Sequence, residues 1–148
     1  MEDKFKKTEA CLYRYKDIDK LNKLTDIKIK KILNDVSLGG GDMFGEKSSP
    51  TNKFNSSVEN DVIAREQKEI DKIVNQLRKD KENRIIEKEL IEHSLELLTN
   101  EERKLIELRY FSSNRLSWDA IAMKLNVSVD TCIRMRRKII LELSSWIN

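Results

Sequence analysis

The C-terminal third of the chain decides its fold. Residues 98–148 read LTNEERKLIELRYFSSNRLSWDAIAMKLNVSVDTCIRMRRKIILELSSWIN. Thr99 is followed three residues later by Glu102, which is the spacing of a capping box and predicts that a helix begins here. The polar residues SSN at positions 112–114 end that helix. Ser117 then precedes WDAIAMKL, a short segment with one apolar face, and predicts a second helix of about two turns.

A tight turn follows this short helix. Asn126 takes the left-handed conformation at modest cost, so it can end the helix without a glycine. Ser128 can cap a third helix that runs from residue 129 to about residue 146. A short helix, a turn of about three residues and a longer capped helix form the helix-turn-helix arrangement that many DNA-binding domains use.

The third helix has two faces of different chemistry. Its apolar residues recur at intervals of three or four and are expected to pack on Leu105, Ile121 and Leu125. These apolar residues are Cys132, Met135, Ile139, Leu143 and Trp146. A recognition helix presents its first turns to base edges and its later cations to phosphates, so the opposite face is predicted to bind double-stranded DNA. That face carries Val129, Asp130, Ile133, Arg134 and Arg137, with Arg136 and Lys138 at its flanks.

Positive charge is concentrated in this domain. The whole chain has 29 Lys+Arg and 26 Asp+Glu, a net charge of only +3. Residues 101–148 hold nine Lys/Arg against six Asp/Glu, whereas residues 61–100 hold eight against ten. Four of the nine cations lie within residues 134–138. A basic run alone is typical of a solvated helix face, but after a capped helix and turn it favours contact with nucleic acid.

Glycine and proline are confined to one segment. All four Gly and the single Pro lie between residues 39 and 50, so residues 37–60, which are also rich in Ser and Asn, are predicted to be a flexible linker. The predicted fold class is therefore all-α, because hairpin turn signals and the glycine spacings of Rossmann and P-loop sites are missing. The predicted parts are an N-terminal amphipathic helix (1–36), the linker (37–60), a second long helical segment (61–97) and the helix-turn-helix domain (98–148).

Both long helical segments carry apolar stripes that need a partner. The first stripe comprises Cys11, Tyr15, Ile18, Leu21, Leu24, Ile29, Ile32 and Val36, and the polar residues Asn22 and Thr25 weaken it. The second comprises Val62, Ile70, Ile73, Leu77, Ile86, Leu90 and Leu97, interrupted by RKDKENR at positions 78–84. These stripes predict one of two arrangements: a helical hairpin within one chain, or a homodimer or higher oligomer formed through these helices. Periodicity alone does not distinguish pairing within a chain from pairing between chains.

The composition predicts neither an enzyme nor a metal or cofactor site. The only histidine, His93, lies among glutamates and is expected to be exposed. Cys11 and Cys132 are far apart, and no nucleophile is paired with a base, so no catalytic residue is predicted. No segment approaches the roughly 18 apolar residues of a membrane span, and the N-terminus lacks a signal-peptide pattern, so the chain is expected to be soluble and cytoplasmic.

Five short motifs carry a family resemblance: L-T-x-E-E-R, R-Y-F, S-W-D-x-I-A, L-N-V-S and T-x-x-R-x-R-R-K, which together span about a third of the chain. The segment resembles region 4 of sigma-70-type factors, and more closely the C-terminal domain of the ArpU/RinA-like family of phage late-transcription regulators. The resemblance implies DNA binding at a phage or prophage promoter, on the nucleoid of a bacterial host, and activation of late operons. Nothing upstream resembles the promoter-melting helices of a sigma factor, so recruitment of RNA polymerase or dimer binding at a repeated site is implied instead.

The resemblance also implies roles for individual residues. Ser128 caps the recognition helix, Thr131 and Arg134 are its pattern-matching polar residues, and the later cations contact the DNA backbone. The predicted DNA-binding set is Ser128, Val129, Asp130, Thr131, Ile133, Arg134, Arg136, Arg137 and Lys138.

Two other functions fit the same pattern. A small-terminase-like DNA-packaging oligomer also joins a helix-turn-helix to oligomerising helices, and its mass in solution distinguishes it. A protein that binds RNA polymerase or another regulator without touching DNA would lack salt-sensitive DNA binding.

Overall fold

The computed structural model of the chain describes residues 1–39 and 57–148. Within these ranges the fold is all-α and contains no strand, as predicted. The predicted linker lies for the most part outside the described residues. None of the helices described is both long and apolar enough to span a membrane. The helices are α1 Glu2–Tyr15, α2 Ile18–Gly39, α3 Ser57–Leu95, α4 Asn100–Ile106, which continues as a π-helical turn Glu107–Phe111, α5 Trp118–Leu125 and α6 Val129–Ile147.

The first of two compact units comprises Met1–Asp19 and Asn83–Asn148. It contains the hydrophobic core, in which α1, α4 and α5 pack against α6 and the C-terminal part of α3 contributes Ile91 and Leu95. The most completely buried side chains of this core are Leu12, Ile91, Leu105, Ile106, Tyr110, Ile121, Cys132, Ile139, Ile140 and Leu143. Because Leu12 belongs to α1, the N-terminal helix is an integral part of the unit that contains α5 and α6.

The second unit, Lys20–Glu82, consists of most of α2 and the first part of α3. Among its described residues, Ile29 and Val74 are the buried apolar ones. Asn22 and Thr25 are buried as well, so the polar positions that interrupt the predicted stripe are among those that the unit buries. Lys81 Nζ of α3 lies 2.8 Å from Asp26 Oδ1 of α2 and ties the two helices together.

The prediction of one N-terminal helix over residues 1–36 is wrong. The chain turns at residues 16–17, where Asp17 N–H donates to Arg14 O at 2.9 Å. Leu12 and Ile18 are both fully buried, yet six positions on a continuous helix point about 120° apart. The turn lets both side chains reach the interior, and no glycine or proline in the sequence marks it.

The apolar stripe predicted on α3 is mostly exposed. The buried apolar residues of this helix are Val74, Ile91 and Leu95, none of which belongs to the predicted set. Ile70 and Leu77 are half-buried. The exposed members of the predicted stripe are Val62, Ile73, Ile86, Leu90 and Leu97.

Candidate nucleic-acid interface

The candidate interface is built on α5, a three-residue turn and α6. Ser117 Oγ accepts the Ala120 N–H at 3.2 Å and begins α5, as predicted. Asn126 ends α5 in the left-handed conformation, with φ 57° and ψ 43°, and it is the only such non-glycine residue among those described. Its amide N–H donates to the carbonyls of the last turn of α5. The predicted glycine-free turn is thus confirmed.

The start of α6 is fixed by a second serine cap. Ser128 Oγ accepts the Thr131 N–H at 3.2 Å and shares a 2.8 Å hydrogen bond with Thr131 Oγ1. A cap of this kind satisfies an amide that the first helical turn leaves without a partner. Ser128 and Thr131 therefore hold the helix terminus, and Thr131 is half-buried there.

The inner face of α6 is largely as predicted. Cys132, Ile139 and Leu143 are fully buried, and Met135 is half-buried against the same core. The prediction fails for Trp146, which is 57% exposed. Ile140, which was not in the predicted set, is fully buried instead.

The outer face of α6 exposes two arginines. Arg134 and Arg137 are exposed, and neither makes a hydrogen bond or an ion pair with any residue that the structure describes. They lie three residues apart, which places them on adjoining turns of one side of the helix. Asp130 and Ile133 are exposed near them, and Val129 is half-buried against the core.

Arg136, which the sequence predicts as a DNA contact, points into the protein. Its Nε donates to Glu9 Oε1 of α1 at 2.8 Å and to the Tyr110 hydroxyl at 3.3 Å. Tyr110 also donates to Glu9 Oε1. Burial opposes the charge on Arg136, but the hydrogen bonds with Tyr110 and Glu9 outweigh it and raise the pKa of Arg136. Burial and the neighbouring Glu9 raise the pKa of Tyr110, which keeps its hydroxyl protonated.

Aromatic rings surround the same guanidinium. The Arg136 group lies 5.1 Å from the Phe5 ring centre and 5.7 Å from that of Trp118. Arg109 lies over the same Trp118 ring at 4.5 Å and donates to the Leu116 carbonyl at 2.7 Å. Cation–π contacts of this kind hold the start of α5 against α6 and the π-helical turn.

Lys138 is exposed but already has a carboxylate partner. Its Nζ lies 3.0 Å from Glu102 Oε1, while the second oxygen of Glu102 accepts the Thr99 N–H at 3.1 Å. The capping box predicted for Thr99 and Glu102 is confirmed. Burial acts to raise the pKa of Glu102, but the hydrogen bonds from Lys138 and Thr99 prevail and lower it. Lys138 therefore links α6 to the start of α4.

Sequence reasoning missed α1 altogether as a part of this region. Met1, Glu2 and Phe5 line one side of a hollow whose other side includes Ile133 and Arg137 of α6. Glu9 is 127 residues from Arg136. No local pattern in the sequence connects the two, because a contact over that separation depends on how the helices pack.

The remaining polar candidates do not assemble a chemical site in the described part of the chain. His93 is exposed, as predicted, and its Nδ1 lies 3.6 Å from Glu96. Cys11 and Cys132 are free thiols. Among the described residues, no group of three His, Cys, Asp or Glu side chains is placed to hold a metal ion.

Comparison with known proteins identifies the family of the chain. No curated protein and no solved structure matches the chain significantly. A family model described as "Protein of unknown function (DUF722)" matches residues 19–145, which include α5 and most of α6 and exclude α1. The match covers well over half of the chain, and the chain therefore belongs to the DUF722 family.

Proposed function

We propose that the chain is a sequence-specific, DNA-binding transcription regulator that uses α5, the Asn126 turn and α6 as a helix-turn-helix. The observation that carries this proposal is the pair of guanidinium groups on the outer side of a capped helix, those of Arg134 and Arg137, which have no partner among the described residues. Guanidinium groups without protein partners are free to contact phosphates or the acceptor groups of guanine.

The two arginines are assigned different roles. Arg134 lies closer to the capped end of α6, whose first turns enter the major groove in helix-turn-helix proteins, and it is proposed to contact base edges. Arg137 lies one turn later and is proposed to contact a backbone phosphate. Asp130 and Ile133 border the same surface. The proposed contact set excludes Arg136 and Lys138 because both are engaged with glutamates of the protein.

The proposed role in phage or prophage transcription is supported by the family resemblance of residues 98–143. Its motifs are similar to those of ArpU/RinA-like regulators, and we infer activation of phage or prophage late genes in a bacterial host. Contact with RNA polymerase is part of this inference, because the chain carries no segment that resembles the promoter-melting helices of sigma factors.

The test uses the full chain and duplex DNA. A target is first selected from random duplexes, and affinity is then measured by fluorescence anisotropy over a series of salt concentrations. Arg137→Ala should weaken binding to target and random DNA alike and reduce the slope of log affinity against log salt by about one. Arg134→Ala should reduce the discrimination between target and random DNA by about 1–3 kcal/mol.

Arg65→Ala is the matched control, since Arg65 is an exposed arginine on α3 outside α5 and α6. Arg65→Ala should change neither the slope of log affinity against log salt nor the discrimination between target and random DNA. Equal losses on every sequence for Arg134→Ala and Arg137→Ala would contradict the assigned roles. Absence of salt-sensitive DNA binding by the wild-type chain would contradict the proposed function as a whole.

A further inference from the structure

An apolar groove lies on the first unit, away from the arginines of α6. Ile86, Leu90 and Leu97 of the α3 region and Trp146 of α6 line a hollow of about 410 Å³, and all four side chains are at least 39% exposed. Ile86 and Leu90 lie four positions apart on one side of α3, and Leu97, in the turn that follows the helix, lines the same hollow. Contiguous exposed apolar surface of this kind is typical of an interaction site.

The charge around this groove is negative. No lysine or arginine lines it, and Glu89 at its wall makes no ion pair with any residue of the described ranges. Glu96 lies 3.6 Å from Nδ1 of His93, which lines the groove. Glu142 lies one turn before Trp146 on α6. A partner for this groove should therefore combine apolar side chains with positive charge.

The outer side of α2 in the second unit has this composition. Leu24 and Ile27 are 61% and 62% exposed there. Lys20, Lys28 and Lys31 follow the same side at helical spacing, and none of them is ion-paired within the described part of the chain. This α2 stripe, residues 20, 24, 27, 28 and 31, spans eleven positions, as does the groove stripe from residue 86 to residue 97. On α2, eleven positions correspond to about 16 Å of helix.

We propose that the chain associates with a second copy of itself, and that the α2 stripe of one copy occupies the α3/α6 groove of the other. The lysines of α2 meet the glutamates at the edge of the groove, while Leu24 and Ile27 cover Leu90, Leu97 and Trp146. The two surfaces differ, so each copy offers one of each kind. The inference concerns assembly and does not depend on DNA binding.

The first test is the mass of the full chain in solution, measured by sedimentation equilibrium over a wide range of concentrations. The wild type should exceed its 17.4 kDa monomer mass as concentration rises. Ile27→Glu and Leu97→Glu should each lower the association constant by at least about tenfold, because each places a charge in an apolar contact. Circular dichroism should show unchanged helix content, since Ile27 and Leu97 are 62% and 59% exposed.

Ile63→Glu is the matched control, because Ile63 is 63% exposed on α3 and lies outside both stripes. It should associate like the wild type. A wild-type chain that stays at the monomer mass at every concentration overturns the proposal, and so does an Ile27→Glu variant that associates normally.

A mixing experiment tests the pairing of unlike surfaces. Ile27→Glu retains an intact groove and Leu97→Glu retains an intact α2 stripe, so an equimolar mixture should associate more strongly than either variant alone. If the groove pairs with the groove of the second copy, Ile27→Glu associates alone and Leu97→Glu adds nothing in the mixture. That result overturns the proposal.

Discussion

Arg136→Ala is expected to destabilise the fold, although the sequence places this residue in a basic run on a DNA-facing helix. The substitution removes the donor that satisfies Glu9 and Tyr110 and the cation that lies between Phe5 and Trp118. The Arg136 and Glu9 side chains are only 28% and 17% exposed, so the carboxylate is left without its counter-charge in a largely covered position.

The expected magnitude lies between two limits. Exposed ion pairs contribute up to about 1 kcal/mol. Removing one partner of a fully buried pair costs about 3–5 kcal/mol. A pair that is mostly covered should fall between them, and we expect a loss of about 2–3 kcal/mol in the free energy of unfolding. For a chain of this length, such a loss lowers Tm by about 5–10 °C.

The assay is urea denaturation followed by far-ultraviolet circular dichroism at one fixed protein concentration. Arg134→Ala is the control, since Arg134 lies two residues earlier on α6, is exposed and has no partner among the described residues. Its effect should stay within about 0.5 kcal/mol. Combining Arg136→Ala with Glu9→Ala should cost less than the sum of the two single changes, as it does for residues in direct contact. If Arg136→Ala and Arg134→Ala unfold at the same urea concentration, the assignment of Arg136 to the protein interior is refuted.

Two further predictions concern the turn and the thiols. Asn126→Ala should lower the free energy of unfolding by about 1–2 kcal/mol because the left-handed conformation is unfavourable for alanine. Asn126→Gly should be neutral or stabilising, since glycine adopts this conformation readily. Equal losses for the two variants in a denaturation assay would show that the φ of 57° does not constrain this position. Burial and the adjacent Glu87 raise the pKa of Cys11 to about 11. At pH 8 the Cys11 thiol should therefore be alkylated roughly ten- to a hundredfold more slowly than the thiol of a free cysteine peptide, as measured by mass spectrometry of the intact protein. Glu87→Gln should speed that reaction and Glu89→Gln should not, and a rate equal to that of the peptide in the wild type would contradict the raised pKa.

The sequence predicts the local features of this fold well. The capping box at Thr99, the serine caps at Ser117 and Ser128, and the left-handed Asn126 each depend on residues within about one helical turn. Their signals are therefore complete in a short window of sequence. The inner face of α6 was predictable for the same reason, because its periodicity follows the helix itself.

Contacts over long separations were not predictable. A guanidinium in a basic run looks the same whether it faces solvent or Glu9, and Glu9 is 127 residues away from Arg136. Hydrophobic periodicity identifies an apolar face but not whether another element covers it. For this reason the burial predicted for Trp146 and for much of the α3 stripe was wrong, and these side chains are exposed. The turn between α1 and α2 at residues 16–17 lets both Leu12 and Ile18 be buried, and no local sequence signal marks it.

The central claim is that the outer face of α6 binds DNA through Arg134 and Arg137. The most direct measurement is the affinity of the full chain for a duplex as a function of salt, compared between the wild type and the double variant Arg134→Ala/Arg137→Ala. The proposal predicts tight binding that weakens steeply with salt for the wild type, and a shallower slope with much lower affinity for the double variant. Identical affinities and slopes for the two proteins would contradict it.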